Sequence, residues 1–180
     1  PPVVITNAEY RFLVAEQAEE AGVALKAVLL EPVPRNTTAA IAAGAVFAAS
    51  DGNSHVIHVL PSDHEIVVDE AYQSAVKRAA RAAAAGGLVT FGIAPTEPAT
   101  GFGYIRAGAS VADGVLKVDR FVEKPDRKRA EEMIAAGGHY WNSGMFMLGT
   151  DAFLAECKAF APEVLAAVEN SVTEAVRDLD

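Results

Sequence analysis

Residues 55–64, which read His-Val-Ile-His-Val-Leu-Pro-Ser-Asp-His, decide the fold that this sequence predicts. The first six residues form a mainly apolar run that has the length of a buried strand and is too short for an independent helix. Pro61 ends the run, because proline lacks a backbone donor, and polar residues follow at once. The stretch is therefore typical of a strand in an α/β sheet whose following loop carries polar side chains.

Helices and strands alternate on both sides of this stretch. Before it we expect strands over 3–6 and 25–30 and helices over 8–21 and 37–50. After it we expect a helix over 69–85, a strand over 88–93, antiparallel strands over 104–106 and 115–123, a helix over 127–136, a strand over 143–148, and helices from 151 and 162. Short links between these elements predict a mostly parallel (mixed) sheet covered on both faces, hence a three-layer α/β/α fold in a single domain over residues 1–180.

Bulk composition narrows the class of protein. The 180 residues include 24 acidic and 15 basic ones, which give a formal net charge of −9. Because nucleic-acid readers usually present a basic face, neither nucleic acid nor an anionic membrane surface is an expected partner. The single cysteine, Cys157, excludes an internal disulfide and fits a reducing cytoplasm, which is the expected location. No apolar run reaches the roughly 20 residues of a membrane-spanning helix.

Polar residues follow the predicted strands, where an α/β sheet places its ligands. Asp63 comes directly after a strand and is suited to Mg²⁺, which takes oxygen ligands and often bridges to substrate phosphates. Equally, Asp63 or Ser62 could cap a short turn. A lone histidine beside one acid is more often structural, so His64 is not assigned as a base.

Three further segments offer groups for a phosphate or a sugar. Glu123 and Lys124 end a predicted strand. Neighbouring side chains in a strand point to opposite faces, so we do not expect these two to pair with each other. The alternative to a ligand-binding role is a solvated pair of charges before a helix. The segment 100–103 contains two glycines, which lets a backbone approach a ligand, although a hairpin or bulge fits as well. Asn142 supplies a donor and an acceptor together, as sugar recognition requires, with a turn role as the alternative.

Each signal is weak alone, but their order along the chain is specific. The ordered motifs extend over nearly the whole chain and are Glu31-Pro32 with Arg35-Asn36-Thr37, Leu60-Pro61-Ser62-Asp63-His64, Phe91-Gly92-Ile93 with Pro95-Thr96, Pro98 and Thr100-Gly101-Phe102-Gly103-Tyr104-Ile105, Phe121-Val122-Glu123-Lys124-Pro125-Asp126, and Trp141-Asn142-Ser143-Gly144-Met145-Phe146. In this order they resemble the bacterial mannose-1-phosphate guanylyltransferases, including the long forms fused to a mannose-6-phosphate isomerase domain.

The resemblance implies a Rossmann-like, glycosyltransferase-A-like nucleotidyltransferase domain and a role for each candidate residue. It implies a catalytic, Mg²⁺-binding Asp63, nucleotide-binding Glu31, Arg35, Asn36 and Ser62, and sugar-phosphate-binding Gly103, Glu123, Lys124 and Asn142. Trp141, Phe121 and Phe146 are expected in the core or the pocket wall. Phe102 stands where the family commonly has tyrosine.

The reaction that the resemblance implies is transfer of GMP from GTP to mannose 1-phosphate, which gives GDP-mannose and pyrophosphate. The expected partners are therefore GTP and mannose 1-phosphate, and a homodimer is compatible with the resemblance. Two alternatives stay open. One is a transferase that uses UTP or dTTP with glucose 1-phosphate, and the other is a non-catalytic regulatory domain that binds a sugar nucleotide.

Two parts of the family's catalytic apparatus are not found in these 180 residues. One is the glycine-rich loop, with its arginine and lysine, that opens the family's domain, and the other is a second metal-binding aspartate beyond Asn142. We therefore expect a domain truncated at both ends, and we expect these residues alone to turn over weakly or not at all.

Overall fold

The computed structural model describes residues 1–33, 36–112 and 114–177. They form two compact units, one built from residues 1–55 and the residues from 150 onward, and the other from Val56–Gly149. The predicted α/β class is confirmed, because each unit combines helices with a sheet. The single domain over residues 1–180 stays a prediction. No helix in the described ranges is both long and apolar enough to cross a lipid bilayer.

The first unit is built around a two-stranded parallel sheet. Its elements are β1 (Val3–Asn7), a 3-10 turn (Ala8–Tyr10), α1 (Arg11–Glu20), β2 (Ala27–Glu31), α2 (Asn36–Ala48), a second 3-10 turn (Ala49–Asp51), α5 (Thr150–Phe160) and α6 (Pro162–Thr173). β1 and β2 pair from Val3 with Ala27 to Asn7 with Glu31. Helix α2 packs on both strands and on α5 and α6, and its small residues allow the close approach that this packing needs.

The second unit is a five-stranded sheet with two helices. Its elements are β3 (Val56–Val59), α3 (Glu70–Ala84), β4 (Leu88–Ile93), β5 (Tyr104–Ala112), β6 (Val115–Val122), α4 (Arg127–Ala136) and β7 (His139–Gly149). β7 is the central strand, because β4 pairs with it from Trp141 to Leu148 and β3 pairs with Phe146–Gly149 from the opposite side. β5 pairs with the start of β7 and carries β6 on its other edge.

The strand pairing differs from the mostly parallel arrangement that the sequence predicted. Among the described residues β1 and β2 form the parallel pair, whereas the pairs of the second unit are antiparallel. β3 and β4 run in the same direction, as a connecting helix such as α3 requires, but β7 lies between them and opposes both. β7 follows the β5–β6 hairpin and α4, so the local alternation of helix and strand contains no signal for its insertion.

Two strands are longer than their sequence patterns indicated. β5 continues beyond Arg106 to Ala112, and its weakly apolar residues pair with β6 through several shifts of register. β7 begins at His139 rather than Ser143, so the polar stretch Trp141–Gly144 belongs to the strand. Gly144 has a φ of 73°, which only glycine adopts readily, and its turn-like character hid the strand.

The helices of the second unit begin within one residue of the predicted positions, and each has an aspartate cap. Asp69 accepts a hydrogen bond from the backbone N–H of Tyr72 at 2.8 Å, and Asp126 accepts one from Arg129 at 2.8 Å. Each helix then buries small or flexible residues against the sheet. The two core clusters are Ala79 and Ala83 of α3 on Met147, and Ala130 and Met133 of α4 on Tyr104.

His58 of β3 is a titratable group inside the second unit. Its ring centroid lies 5.5 Å from that of Phe91 and 6.5 Å from that of Tyr72. The Nε2 atom is buried and has no hydrogen-bond partner in the part of the chain that the structure describes. Burial lowers the pKa of His58 below its ordinary value of 6.5, so the folded protein resists protonation at this ring.

We expect the free energy of unfolding to fall as the pH drops below about 6.5, because the unfolded chain then binds a proton that folded His58 resists. The contribution of neutral His58 to stability is complete above the pKa that His58 has in the unfolded chain. It is lost as the pH falls towards the lower pKa of His58 in the folded protein. Urea unfolding between about pH 5 and pH 8 measures this dependence. His58→Phe should reduce the pH dependence of the free energy of unfolding, whereas the exposed control His64→Gln should not. If His58→Phe and the wild type showed the same dependence on pH, His58 would not be its source.

Candidate active site

The candidate residues of the second unit gather at one end of its sheet. β3 ends at Val59, which lies opposite Phe146 of β7, and β4 ends at Ile93, which lies opposite Trp141. β5 begins at Tyr104, which also pairs with Trp141. The carboxyl ends of β3 and β4 and the start of β5 therefore lie along the segment of β7 from Trp141 to Phe146, which is where the polar loops of this unit emerge.

Gly103, Glu123 and Asn142 are brought together at this end. The backbone N–H of Asn142 donates a 2.7 Å hydrogen bond to the carbonyl oxygen of Gly103. Gly103 is buried, and a Cβ atom placed on it would lie 3.0 Å from Glu123 Oε2 and 2.7 Å from Phe121 Cζ. Residue 103 therefore has no room for a side chain, and its backbone lies directly against the Glu123 carboxylate.

A fourth residue orients the Asn142 side chain. The Thr90 hydroxyl of β4 donates to Asn142 Oδ1 at 2.9 Å, and the carbonyl oxygen of Met145 lies 3.1 Å from the same hydroxyl. Because the amide oxygen is engaged by Thr90, the amide NH₂ is the group that Asn142 can present to a ligand. The sequence did not indicate a role for Thr90, because its partner Asn142 is 52 residues away along the chain and a threonine in an apolar strand has no distinctive local pattern.

Glu123 and Lys124 form an ion pair, contrary to the sequence expectation. Lys124 Nζ lies 3.7 Å from Glu123 Oε1. The expectation assumed strand geometry, but β6 ends at Val122, and Lys124 has a φ of 40°, in the left-handed region. This turn in the backbone brings the two side chains to the same side. Both are more than half exposed, so the pair adds only about 0–1 kcal/mol of stability and leaves the ammonium group free to meet a phosphate.

Asp63 lies in the loop that follows β3. Its side chain is 85% exposed, and its Oδ1 atom lies 3.8 Å from His64 Nε2. The loop starts beside β7, because a Cβ atom on Gly144 would lie 3.4 Å from Pro61 Cγ. Ser62 is exposed in the same turn. The loop that carries Ser62 and Asp63 thus begins next to Gly144, in the part of β7 after Asn142 where the pairing with β4 shifts register.

The residues around Asp63 fit one mode of metal binding. In the described ranges there is no group of three or more His, Cys, Asp or Glu side chains that could hold a metal ion by themselves. Mg²⁺, however, is usually bound through one or two carboxylates, while substrate phosphates and water complete its shell. A single exposed carboxylate such as that of Asp63 suits this mode.

Glu31 and Asn36 belong to the first unit. Glu31 is the last residue of β2 and pairs with Asn7 at the end of the two-stranded sheet. Asn36 is the first residue of α2, is exposed, and has a φ of 51°, a conformation that asparagine tolerates better than most residues. Arg35, the remaining predicted nucleotide-binding residue, lies outside the described residues.

A cleft of about 790 Å³ lies elsewhere in the second unit. Its walls are α3, β4 and the far part of the β5–β6 hairpin, and its lining is mainly apolar. None of the sequence-predicted site residues that the structure describes lines it, although Thr90 does. We assign the site to the polar end of the sheet instead, because the cleft does not contain the convergent polar groups that a phosphate or sugar requires.

Comparison with known proteins identifies the family of this chain. A family model described as nucleotidyl transferase matches residues 1–180. A mannose-1-phosphate guanylyltransferase of Sinorhizobium fredii is 51% identical over 180 residues, which cover 99% of this chain and 35% of that protein. The xanthan biosynthesis protein XanB of Xanthomonas campestris strain B100 is 48% identical over 179 residues, which cover 99% and 38%. The chain thus spans about a third of the length of these relatives.

A solved structure has the same fold. The crystal structure of mannose-6-phosphate isomerase from Helicobacter pylori matches with a TM-score of 0.83 and 36% sequence identity. The match covers 95% of this chain and 64% of that chain.

Proposed function

Because the chain belongs to the nucleotidyl transferase family, we propose that its full-length protein transfers GMP from GTP to mannose 1-phosphate, giving GDP-mannose and pyrophosphate. The observation that carries this proposal is the cluster of Gly103, Glu123 and Asn142, which comes from three separate segments of the chain. The 51% identity to a mannose-1-phosphate guanylyltransferase supports the same substrates. We propose a cytoplasmic enzyme of polysaccharide biosynthesis, and a homodimer stays a prediction.

The cluster offers complementary groups to a sugar 1-phosphate. The Glu123 carboxylate accepts hydrogen bonds from sugar hydroxyls, and the Asn142 amide donates to a sugar or phosphate oxygen. The Lys124 ammonium group is a point charge that attracts the phosphate. Gly103 leaves space beside the carboxylate because it has no side chain.

The remaining candidates are proposed for the nucleotide. Glu31 and Asn36 would contact the base, since a carboxylate accepts and an amide both donates and accepts hydrogen bonds. Arg35 and Ser62 would contact the phosphates or the ribose. A guanidinium group binds phosphate oxygens in pairs, and a hydroxyl adds one further donor.

Asp63 is the residue that would hold Mg²⁺. When bound, the ion neutralises the phosphate oxygens of the nucleotide and makes pyrophosphate a better leaving group. Members of this family generally use a divalent metal ion, and the single exposed carboxylate suits Mg²⁺ better than a metal that needs a full set of protein ligands.

The reaction itself requires positioning rather than a covalent intermediate. A phosphate oxygen of mannose 1-phosphate attacks the α-phosphorus of GTP in line, a new P–O bond forms, and the bond to the pyrophosphate oxygen breaks. The attacking phosphate is already an anion, so no general base is needed and His64 has no catalytic role. Lys124 and Asn142 hold the attacking phosphate, and orientation of this kind can lower a barrier by several kcal/mol.

Pyrophosphate exchange by the full-length protein tests the proposal. We expect labelled pyrophosphate to enter GTP only when GDP-mannose is present, and we expect GDP-mannose to form from GTP and mannose 1-phosphate at least about tenfold faster than products form from UTP or dTTP with glucose 1-phosphate. Faster reaction with UTP or dTTP would identify a different transferase of the same fold. Binding of GDP-mannose without any exchange would identify a regulatory domain.

A further inference from the structure

We propose that Phe102 is a positioning residue of the sugar subsite, which it maintains by packing on Trp141. The inference rests on the proposed function, because it assigns a role within the same site. It concerns residues 99–103, here called the 99–103 loop, which form the last part of the connection from β4 to β5 and end at Gly103.

The two ends of the 99–103 loop are held by hydrogen bonds. The hydroxyl of Tyr104, a fully buried residue, donates to the carbonyl oxygen of Ala99 at 2.9 Å. At the other end, the Gly103 carbonyl oxygen accepts from the backbone N–H of Asn142 at 2.7 Å. These two contacts fix where the loop begins and ends but not the path between them.

The middle of the loop is held by an aromatic contact. The Phe102 ring lies 5.2 Å from the Trp141 ring, centroid to centroid, with an interplanar angle of 57°, an arrangement that aromatic pairs favour. By contrast, a Cβ atom on Gly101 would meet nothing within 4 Å. Glycine loses more conformational freedom on ordering than any other residue, and Phe102 has a glycine on each side. The ring contact therefore adds to the Asn142 hydrogen bond in offsetting the cost of ordering this glycine-flanked segment.

Trp141 in turn depends on packing for its position. Its Nε1 atom is buried and has no hydrogen-bond partner among the residues that the structure describes. The indole packs instead on the cluster formed by Tyr104, Ala130 and Met133, and it also contacts the half-exposed Phe102 ring. Trp141 directly precedes Asn142, and Phe102 directly precedes Gly103. The contact between the two rings therefore connects two members of the sugar subsite, Gly103 and Asn142.

The effect of Phe102 should appear in the affinity for the sugar phosphate and not in the chemical step. Without the ring, the 99–103 loop must be ordered when the ligand binds, and the ordering cost weakens binding. We expect Phe102→Ala to raise the Kd for mannose 1-phosphate about three- to tenfold, the range expected for one aromatic contact. In the full-length protein the KM for mannose 1-phosphate should rise by the same factor, with kcat nearly unchanged.

The experiment uses calorimetry on the full-length protein together with tryptophan fluorescence, because Trp141 lies in the subsite and is the only tryptophan in residues 1–180. Mannose 1-phosphate is titrated into the wild type, Phe102→Ala and the conservative control Phe102→Tyr. We expect the ligand to shift Trp141 emission in the wild type, Phe102→Tyr to bind within about twofold of the wild type, and Phe102→Ala to bind more weakly. Amide hydrogen exchange should be faster over residues 99–103 in ligand-free Phe102→Ala and unchanged in α3.

The outcomes separate the inference from the function on which it rests. If the wild type and Phe102→Ala bind mannose 1-phosphate equally well, the inference is wrong and the proposed function stands. If neither mannose 1-phosphate nor GDP-mannose binds to the wild type, the proposed function fails and the inference fails with it. A Phe102→Ala variant that binds weakly but shows unchanged exchange over residues 99–103 also overturns the positioning role, because the ring would then act by direct contact.

Discussion

Replacing Asp63 by asparagine should lower the rate of pyrophosphate exchange by the full-length protein about 100-fold or more. The substitution keeps the shape of the side chain and removes its negative charge, which is the property that a hard cation requires. The loss should appear mainly in kcat, because charge neutralisation matters most while the leaving pyrophosphate develops charge. Since the side chain is 85% exposed, the free energy of unfolding should change by less than about 0.5 kcal/mol.

A second measurement makes the Asp63 prediction independent of turnover. Mn²⁺ can replace Mg²⁺ as a paramagnetic probe, and we expect the wild type in the presence of GTP to bind it more tightly than Asp63→Asn does. Glu65→Gln is the matched control, because it removes an exposed carboxylate two residues away without touching the proposed site. Undiminished exchange in Asp63→Asn, or an equal loss in Glu65→Gln, would remove the metal assignment.

Local sequence patterns were sufficient to predict the helices and the polar loops that follow the strands. The helical patterns over 69–85 and 127–136 predicted helices that the structure contains, and Asp69 and Asp126 cap them through contacts three residues along the chain. Pro61 predicted the end of β3 for a similarly local reason. The polar residues that follow these strands were therefore identified correctly as neighbours of strand ends.

Pairing between distant strands could not be predicted in the same way. The insertion of β7 between β3 and β4 depends on how a late strand returns across the sheet, and no local pattern in His139–Gly149 specifies its neighbours. The contact between Thr90 and Asn142 follows from that pairing and was invisible for the same reason. The Glu123–Lys124 ion pair was missed because the assumption of strand geometry fails where Lys124 adopts a positive φ.

The second large effect is expected from a substitution at Gly103, whose backbone lies against the Glu123 carboxylate. An alanine there would place its Cβ atom 2.7 Å from Phe121 Cζ, which is closer than real Cβ contacts, and 3.0 Å from Glu123 Oε2, which is tighter than most of them. Both atoms are at the ends of half-exposed side chains, which can move away without displacing the backbone. We therefore expect Gly103→Ala to fold, with a loss of stability of about 1 kcal/mol, but with the Glu123 carboxylate displaced from the sugar subsite.

Displacement of a binding group by a fraction of an ångström has a larger effect on function than on folding. We expect Gly103→Ala to weaken mannose 1-phosphate binding by about 10- to 100-fold, measured by calorimetry, because a misplacement near 1 Å can cost that much. Gly101→Ala is the matched control, since its added Cβ atom meets nothing within 4 Å. A double variant with Phe121→Leu removes the ring contact but leaves the carboxylate contact. If Glu123 is the group that binds the sugar, this double variant stays weak, whereas recovery of affinity would show that the ring displacement was responsible and would argue against a direct role for Glu123.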